Sequence, residues 1–169
     1  TRMGDTMTAE QVMKIVERDR PFYESSGGGM TVSGGEALYQ PGFAAELLKK
    51  AKAARIATCV ETCGFASETT LMDIVPDVDL FLFDCKHTDP AVHKEVTGVD
   101  IVPILSNLRR LDEAGKDIVL RLPLIPGVND NDAHFAAVGK LADSLEHVLY
   151  LEVMPYHPLG LSKASMLGR

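Results

Sequence analysis

The sequence contains no tryptophan, only three cysteines and few aromatic residues, which make up 6% of its 169 positions. Three cysteines are too few for the disulfide framework of a small secreted domain, and residues 1–8 lack the apolar core of a secretory signal, so we expect reduced thiols and a cytoplasmic location. Long apolar runs are also missing, since even Val78–Phe83 is interrupted by Asp79. The 17 Lys and Arg against 24 Asp and Glu give a formal net charge of −7, which argues against nucleic acid or an anionic membrane as a partner.

What is present is the composition of a folded core, with 46% hydrophobic and 24% charged residues. Thr8 and Gln11 have the spacing of a capping box, which predicts a helix start, and apolar strands then alternate with amphipathic helices. Because the strands are continuous apolar runs, we expect parallel strands that are buried on both faces and joined by right-handed βαβ units. The predicted strands are Met30–Ser33, Arg55–Val60, Val78–Phe83, Asp117–Leu122 and Val148–Val153.

Polar side chains fall at or just after the carboxyl ends of these strands. Parallel βα units bring the loops of that edge around one opening, so we predict a single concave binding site there. The segment Ser33–Glu36 adds two glycines that let a ligand approach the backbone and a carboxylate that can bind an ammonium group, although it also suits a tight turn before a helix. The side chains at this edge are Glu36, Glu61, Thr62, Asp84, Lys86, Arg121 and His157.

The cysteines match only part of an iron–sulfur motif. Cys59 and Cys63 have C-x3-C spacing, but Ala66 stands where the third ligand of C-x3-C-x2-C would be, so we expect free, buried thiols. The histidine spacing does not match a paired metal-ligand motif either. We therefore expect surface or loop positions for His87, His93, His134 and His147.

Five short motifs occur in order along nearly the whole chain, and together they resemble one family. In this combination the sequence is similar to the activating enzymes of glycyl radical enzymes in the radical SAM superfamily, most closely those of pyruvate formate-lyase. The resemblance implies a partial TIM-type (β/α) barrel with about five of the family's six parallel strands, and a radical SAM oxidoreductase. The motifs are Gly27–Gly29 with Ser33–Glu36, Glu61–Gly64, Asp84–Lys86, Arg121–Asp130 and Pro155–Gly160.

The resemblance also implies cofactors, a partner and residue roles. S-adenosylmethionine (SAM) and a [4Fe–4S] cluster would generate a 5′-deoxyadenosyl radical that takes a hydrogen atom from a glycine of a pyruvate formate-lyase-like enzyme. Gly34, Gly35 and Glu36 would hold the methionyl amine of SAM. The methionyl carboxylate, the ribose and the nearby site edge would be lined by Asp84, Lys86, Arg121 and His157. A monovalent cation site of the family corresponds to Glu61, Thr62 and Asp84.

One departure from the family pattern concerns the cluster ligands. The family's C-x3-C-x2-C precedes the Gly-Gly-Glu segment, whereas residues 1–33 contain no cysteine. We therefore expect residues 1–169 to be one truncated radical SAM core domain without the first βα unit, the cluster ligands and the C-terminal end. Such a fragment would be inactive alone, would bind SAM weakly or not at all, and would expose a strand edge that favours dimerisation.

Two other interpretations remain open. Lys86 at a strand end could form a Schiff base in an aldolase-like α/β enzyme, with Glu61 or Asp84 as its acid–base partner. The chain could also be a non-catalytic binding domain that retains a SAM-like pocket.

Overall fold

The structure is a computed structural model that describes residues 5–156, in which helices alternate with the strands of one sheet. The helices are α1 (Ala9–Val16), α2 (Arg20–Ser26), α3 (Pro41–Ala53), α4 (Glu68–Ile74), α5 (Pro90–Thr97), α6 (Val102–Glu113) and α7 (Asp132–Asp143). The strands are β1 (Gly29–Val32), β2 (Ala57–Thr62), β3 (Leu80–Asp84), β4 (Asp117–Pro123) and β5 (Val148–Met154). Single 3-10 turns occur at Glu17–Asp19, Ala37–Tyr39 and Val75–Asp77.

The five strands lie side by side in chain order, and every neighbouring pair is parallel, as predicted. Their carboxyl ends therefore share one edge of the sheet. Asp84 lies beside Arg121 in the register, and Arg121 lies beside Glu152. Since register partners in parallel strands project from the same face, these three side chains meet on one side of the sheet.

Side-chain caps fix the first turns of several helices, including those that follow the site loops. The predicted capping box at α1 is confirmed: the Thr8 N–H donates to Gln11 Oε1 at 2.8 Å, and the Gln11 N–H donates to Thr8 Oγ1 at 3.3 Å. Ser67, Asp89 and Asn131 accept hydrogen bonds from the first turns of α4, α5 and α7. These caps satisfy backbone donors and end the loops after β2, β3 and β4 at defined residues.

The hydrophobic core lies against one face of the sheet. Val60, Phe81, Phe83, Ile118 and Leu120 are each at most 1% exposed and pack with apolar residues of the helices. Burial alternates along β2 and β3, however, and the residues of the second face are only half-buried or exposed. The prediction that these strands are buried on both faces is wrong, because no described element covers their second face fully, and that face ends in the charged residues Glu61 and Asp84.

The strand β5 departs further from the predicted burial. Leu149, Tyr150, Leu151 and Val153 are between 39% and 57% exposed. The reason is position: β5 is the last strand of the described sheet, and β4 is its neighbour within it. No helix within residues 5–156 is long and apolar enough to cross a membrane.

The surface positions predicted for His93 and His134 are wrong, whereas His87 lies in a loop, as predicted, although it is buried there. His87, His93 and His134 are 6%, 3% and 2% exposed, and their rings are held by local hydrogen bonds, such as that between His134 Nδ1 and Thr88 Oγ1 at 3.0 Å. The rings of His87 and His134 stack with centroids 4.9 Å apart. Aromatic packing and at least one hydrogen bond to each ring help an imidazole to be buried, although His134 Nε2 has no hydrogen-bond partner among the described residues. His147 lies in the loop before β5, as predicted.

Candidate functional site

The structure brings the predicted site residues to the carboxyl edge of the sheet. Gly34, Gly35 and Glu36 follow β1, Glu61 and Thr62 end β2, Asp84 ends β3 with Lys86 just beyond it, and Arg121 lies in the last part of β4. His157, the remaining predicted residue, lies outside the described residues. The contacts of these side chains differ from one to the next, and those differences indicate what each can do.

Glu36 is anchored to the end of β2. Its Oε1 accepts hydrogen bonds from Thr62 Oγ1 at 2.7 Å and from the Leu38 N–H at 3.1 Å, and its Oε2 accepts one from the Cys63 N–H at 2.9 Å. Burial disfavours the charged form, but hydrogen bonds from Cys63, Thr62 and Leu38 outweigh it and hold the pKa of Glu36 below its usual value. The carboxylate is therefore ionised and held in one position.

The two glycines before Glu36 leave open space at the site. Gly34 has a φ of +137°, which favours glycine, and a Cβ at Gly34 or Gly35 would meet no atom within 4 Å. Both residues line a cavity of about 380 Å³ between α1, β1 and α3. The backbone at these two glycines is therefore open, and the close approach of a ligand to it stays a prediction.

All three nitrogen atoms of the Arg121 guanidinium group contact other side chains of the protein. Its Nη1 lies 2.8 Å from a carboxylate oxygen of Glu61, and its Nη2 donates to Met154 Sδ at 2.6 Å. Its Nε lies 3.0 Å from the carboxylate of Glu152, an ion pair without hydrogen-bond alignment. Ser33 Oγ donates to the other oxygen of Glu61 at 2.9 Å. The predictions included Arg121 and Glu61 but missed Glu152 and Met154, for which the sequence gives no local signal.

The side chains of Asp84 and Lys86 form no hydrogen bond or salt bridge with the described residues. Asp84 Oδ1 is buried and has no hydrogen-bond partner among residues 5–156. Burial raises the pKa of Asp84, although the positive charges of Lys86 and Arg121 oppose this effect. Lys86 is half-buried and forms no salt bridge with any described residue, while its charge acts on Asp84 and Cys63. A buried polar atom without a partner is costly in the free protein and is satisfied when a ligand supplies a donor.

The turn after β2 is fixed from two sides. The Gly64 N–H donates to Thr62 Oγ1 at 3.0 Å, and Asn107 Nδ2, from α6, donates to the carbonyls of Gly64 and Ala66 at 2.9 Å each. Gly64 has a φ of +73° and packs directly on Phe83. Asn107 is a supporting residue that the predictions missed, because it lies on a helix far from the site motifs in sequence.

The three cysteines do not fit a [4Fe–4S] cluster. Cys59 and Cys63 are half-buried and Cys85 is buried, and burial raises the pKa of all three thiols, that of Cys85 to about 11. Cluster ligation requires thiolates at one point. Within residues 5–156, no three His, Cys, Asp or Glu side chains are grouped so that they could hold a metal ion. The described residues of this chain therefore do not form a cluster site.

The predicted monovalent cation site stays a prediction. Glu61 bonds to Ser33 and Arg121, and the Thr62 hydroxyl bonds to Glu36, so both groups have protein partners in this structure. Only Asp84, of the three predicted ligands, has a buried oxygen without a hydrogen bond in the described part of the chain.

A five-stranded parallel sheet with charged groups gathered at its carboxyl edge defines an α/β protein whose candidate site lies at the strand ends of the described sheet. The sequence profile of the Radical SAM superfamily matches residues 1–137. The chain belongs to the radical SAM superfamily, and its sheet is the partial barrel of that fold class, as the resemblance implied.

Three relatives illustrate the similarity. The chain is 44% identical over 168 residues to the isethionate sulfite-lyase activating enzyme of Nitratidesulfovibrio vulgaris. The alignment covers 98% of this chain and 54% of that protein. The chain is 34% identical over 168 residues to the pyruvate formate-lyase-activating enzyme of Staphylococcus epidermidis, covering 96% of this chain and 67% of that protein. The crystal structure of a domain of pyruvate-formate lyase-activating enzyme from Bacteroides vulgatus superposes with a TM-score of 0.71 at 30% identity, covering 83% of this chain and 93% of that one.

The predicted resemblance to activating enzymes is thus confirmed at the level of the family. The chain spans about half the length of curated relatives such as the isethionate sulfite-lyase activating enzyme. By their names, these relatives serve different enzymes, so the similarity extends beyond the pyruvate formate-lyase kind.

Proposed function

We propose that this chain is the SAM-binding core of an activating enzyme for a glycyl radical enzyme. The observation that carries the proposal is the pair formed by Asp84 and Lys86, which places a buried carboxylate oxygen without a hydrogen bond beside an ammonium group that has no salt bridge among the described residues. Both lie at the strand edge where parallel α/β folds bind ligands. Membership of the radical SAM superfamily supports SAM as that ligand.

The charges of the site match those of SAM. SAM carries an ammonium, a sulfonium and a carboxylate, so it requires one cation and more than one anionic or polar acceptor. Lys86 is the cation available for the methionyl carboxylate, because Arg121 already contacts Glu61 and Glu152. Asp84 can accept from the ribose hydroxyls, and Glu36, with the open backbone of Gly34, lies on the side proposed for the amine.

The residues of this chain would bind and orient the ligand rather than react with it. In the longer activating enzyme, bound SAM would supply the 5′-deoxyadenosyl group for removal of a hydrogen atom from a glycine of the partner enzyme, after one electron from a reductant outside these residues has broken the S–C5′ bond and released methionine. Fixed contacts at its carboxylate and amine would hold the methionyl part of SAM still, and such positioning contributes strongly to catalysis. Because this chain covers about half the length of its curated relatives, we propose that residues 1–169 act as one domain of a longer activating enzyme.

The partner is proposed to be a glycyl radical enzyme of the pyruvate formate-lyase type, with the isethionate sulfite-lyase type as the competing outcome. The longer activating enzyme would be incubated anaerobically with each candidate, and the glycyl radical would be measured by electron paramagnetic resonance. A signal with one candidate alone identifies the partner. The absence of a signal with every glycyl radical enzyme tested would contradict the proposed activity.

SAM binding by the chain itself is tested by NMR titration of the ¹⁵N-labelled protein. Because the contacts are few, we expect a Kd of about 1 mM, within the range that chemical shifts detect. The amide signals of Gly35, Cys63, Gly64 and Lys86 should move, and those at the amino ends of the strands, such as Ala57, should not.

Further outcomes show whether the shifts come from SAM bound at the strand edge. 5′-Methylthioadenosine lacks the amino-acid part of SAM and should shift the ribose side of the site while leaving Lys86 unaffected. Shifts confined to other surfaces, or none at saturating SAM, would refute SAM binding at this edge. Covalent trapping of a carbonyl substrate on Lys86 by borohydride would instead support the aldolase-like alternative.

A further inference from the structure

Asn129 connects two loops of the site through its side chain. It lies in the loop between β4 and α7 and is 1% exposed. Its Nδ2 donates to the carbonyl of Lys86 at 2.8 Å and to that of Pro123 at 2.9 Å, and its Oδ1 accepts from the Ile125 N–H at 2.7 Å. All three partners are main-chain groups, so the side chain fixes the paths of both loops.

The hydrogen bond from Asn129 to Lys86 lies just beyond a main-chain hydrogen bond that links the end of β3 to β4. The Cys85 N–H donates to the Arg121 carbonyl at 2.8 Å just past the end of β3. The next carbonyl, that of Lys86, is bonded by the side chain of Asn129, which lies 43 residues further along the chain. A carbonyl that is partly shielded from water needs such a donor, and here the donor also fixes the backbone that carries the lysine.

The position of the Lys86 ammonium depends on that backbone. Because Lys86 forms no salt bridge with any described residue, the path of its main chain is what directs the side chain to the site edge. We propose that Asn129 is a positioning residue that holds Lys86 for recognition of the methionyl carboxylate of SAM. This inference rests on the proposed SAM-binding function.

The central variant is Asn129→Asp, which keeps the size of the side chain and its Oδ1 acceptor. It replaces the Nδ2 donor with an oxygen that faces the carbonyls of Lys86 and Pro123. We expect the affinity for SAM, measured by NMR titration of the whole chain, to fall about tenfold, as loss of buried hydrogen bonds predicts. The affinity for 5′-methylthioadenosine, which has no carboxylate, should stay the same. Amide hydrogen exchange of residues 84–89 should become faster with no ligand present.

Two further variants control this comparison. Asn131→Asp makes the same chemical change two residues away, but aspartate can still cap α7, where Asn131 Oδ1 now accepts from the His134 N–H at 3.0 Å. It should leave SAM affinity and exchange at residues 84–89 unchanged. Asn129→Ser retains one donor and should restore part of both properties, and it serves as the test variant if Asn129→Asp does not fold.

The outcomes distinguish failure of the positioning role of Asn129 from failure of SAM binding by the chain. Equal losses of SAM and 5′-methylthioadenosine binding would show general damage to the site and would overturn the positioning role. Unchanged exchange at residues 84–89 in both Asn129 variants would overturn it as well. If the wild-type chain does not bind SAM, the proposed function fails and the carboxylate role of this inference fails with it, whereas a loss of SAM binding confined to Asn129 variants supports both.

Discussion

At Gly64, one added methyl group is expected to be strongly destabilising. Its φ of +73° lies in the left-handed region, and an ideal Cβ would lie 2.2 Å from Cζ and 2.6 Å from Cε2 of Phe83, which is 1% exposed. The turn cannot easily move away, because Thr62 and Asn107 bond it on both sides. Left-handed strain and overpacking of the core together predict that Gly64→Ala lowers the free energy of unfolding by about 2–4 kcal/mol.

Gly98→Ala is the matched control. Gly98 also has a left-handed backbone, with a φ of +79°, but a Cβ there would meet no atom within 4 Å. It should therefore show the conformational cost alone, about 1 kcal/mol. Urea unfolding of wild type and both variants, monitored by circular dichroism, gives the comparison, provided that the m values agree.

A double-mutant cycle with Phe83→Leu isolates the clash. The smaller side chain should reduce the cost of Gly64→Ala, giving a coupling energy of about 1 kcal/mol or more. The reasoning would be refuted if Gly64→Ala were no more destabilising than Gly98→Ala. It would also be refuted if the Gly64 and Phe83 substitutions were additive.

Three further predictions concern ionisable groups. Burial disfavours the Asp79 carboxylate, but hydrogen bonds from Lys52 and Thr58 lower its pKa, so the stability that it contributes is present above the usual pKa and is lost as pH falls through the lowered value. Urea midpoints of wild type and Asp79→Asn should differ at neutral pH, by about 1 kcal/mol in free energy, and converge in acid. Burial raises the pKa of Asp84, so the destabilisation by its carboxylate grows as pH rises from the usual pKa to the raised pKa and is constant above it. Asp84→Asn should therefore increase stability at neutral pH while abolishing SAM binding in the NMR titration. The buried Cys85 thiol, with a pKa of about 11, should react with Ellman's reagent at pH 8 only after unfolding.

The sequence was sufficient for features that depend on nearby residues. The capping box at Thr8 and the alternation of strands and helices predicted the elements and their parallel order, because caps and periodicity act within a few residues. The same alternation predicted which residues end strands, and so brought Glu61, Asp84 and Arg121 to one edge.

Features that depend on distant contacts were missed or wrong. The buried positions of His87 and His134 result from their stacking, which joins the loop after β3 to α7. Asn107 and Asn129 act through carbonyls 43 residues away, and no local pattern distinguishes such an asparagine from one in a turn. The exposure of β5 follows from its place in the sheet rather than from its composition, which is as apolar as that of a buried strand.

The hydrogen-bond partners divide the described site side chains into two groups, and the division predicts how variants should behave. Glu36, Glu61 and Arg121 are bonded to other strands or loops, so substitutions there remove contacts that hold the edge together and should lower both stability and ligand binding. Asp84 and Lys86 have no such hydrogen bond or salt bridge among residues 5–156, and substitutions there should lower ligand binding without lowering stability. A buried charge that does not stabilise the free protein is retained most readily where a ligand uses it, and on this ground we propose that the Asp84–Lys86 pair contributes to ligand recognition.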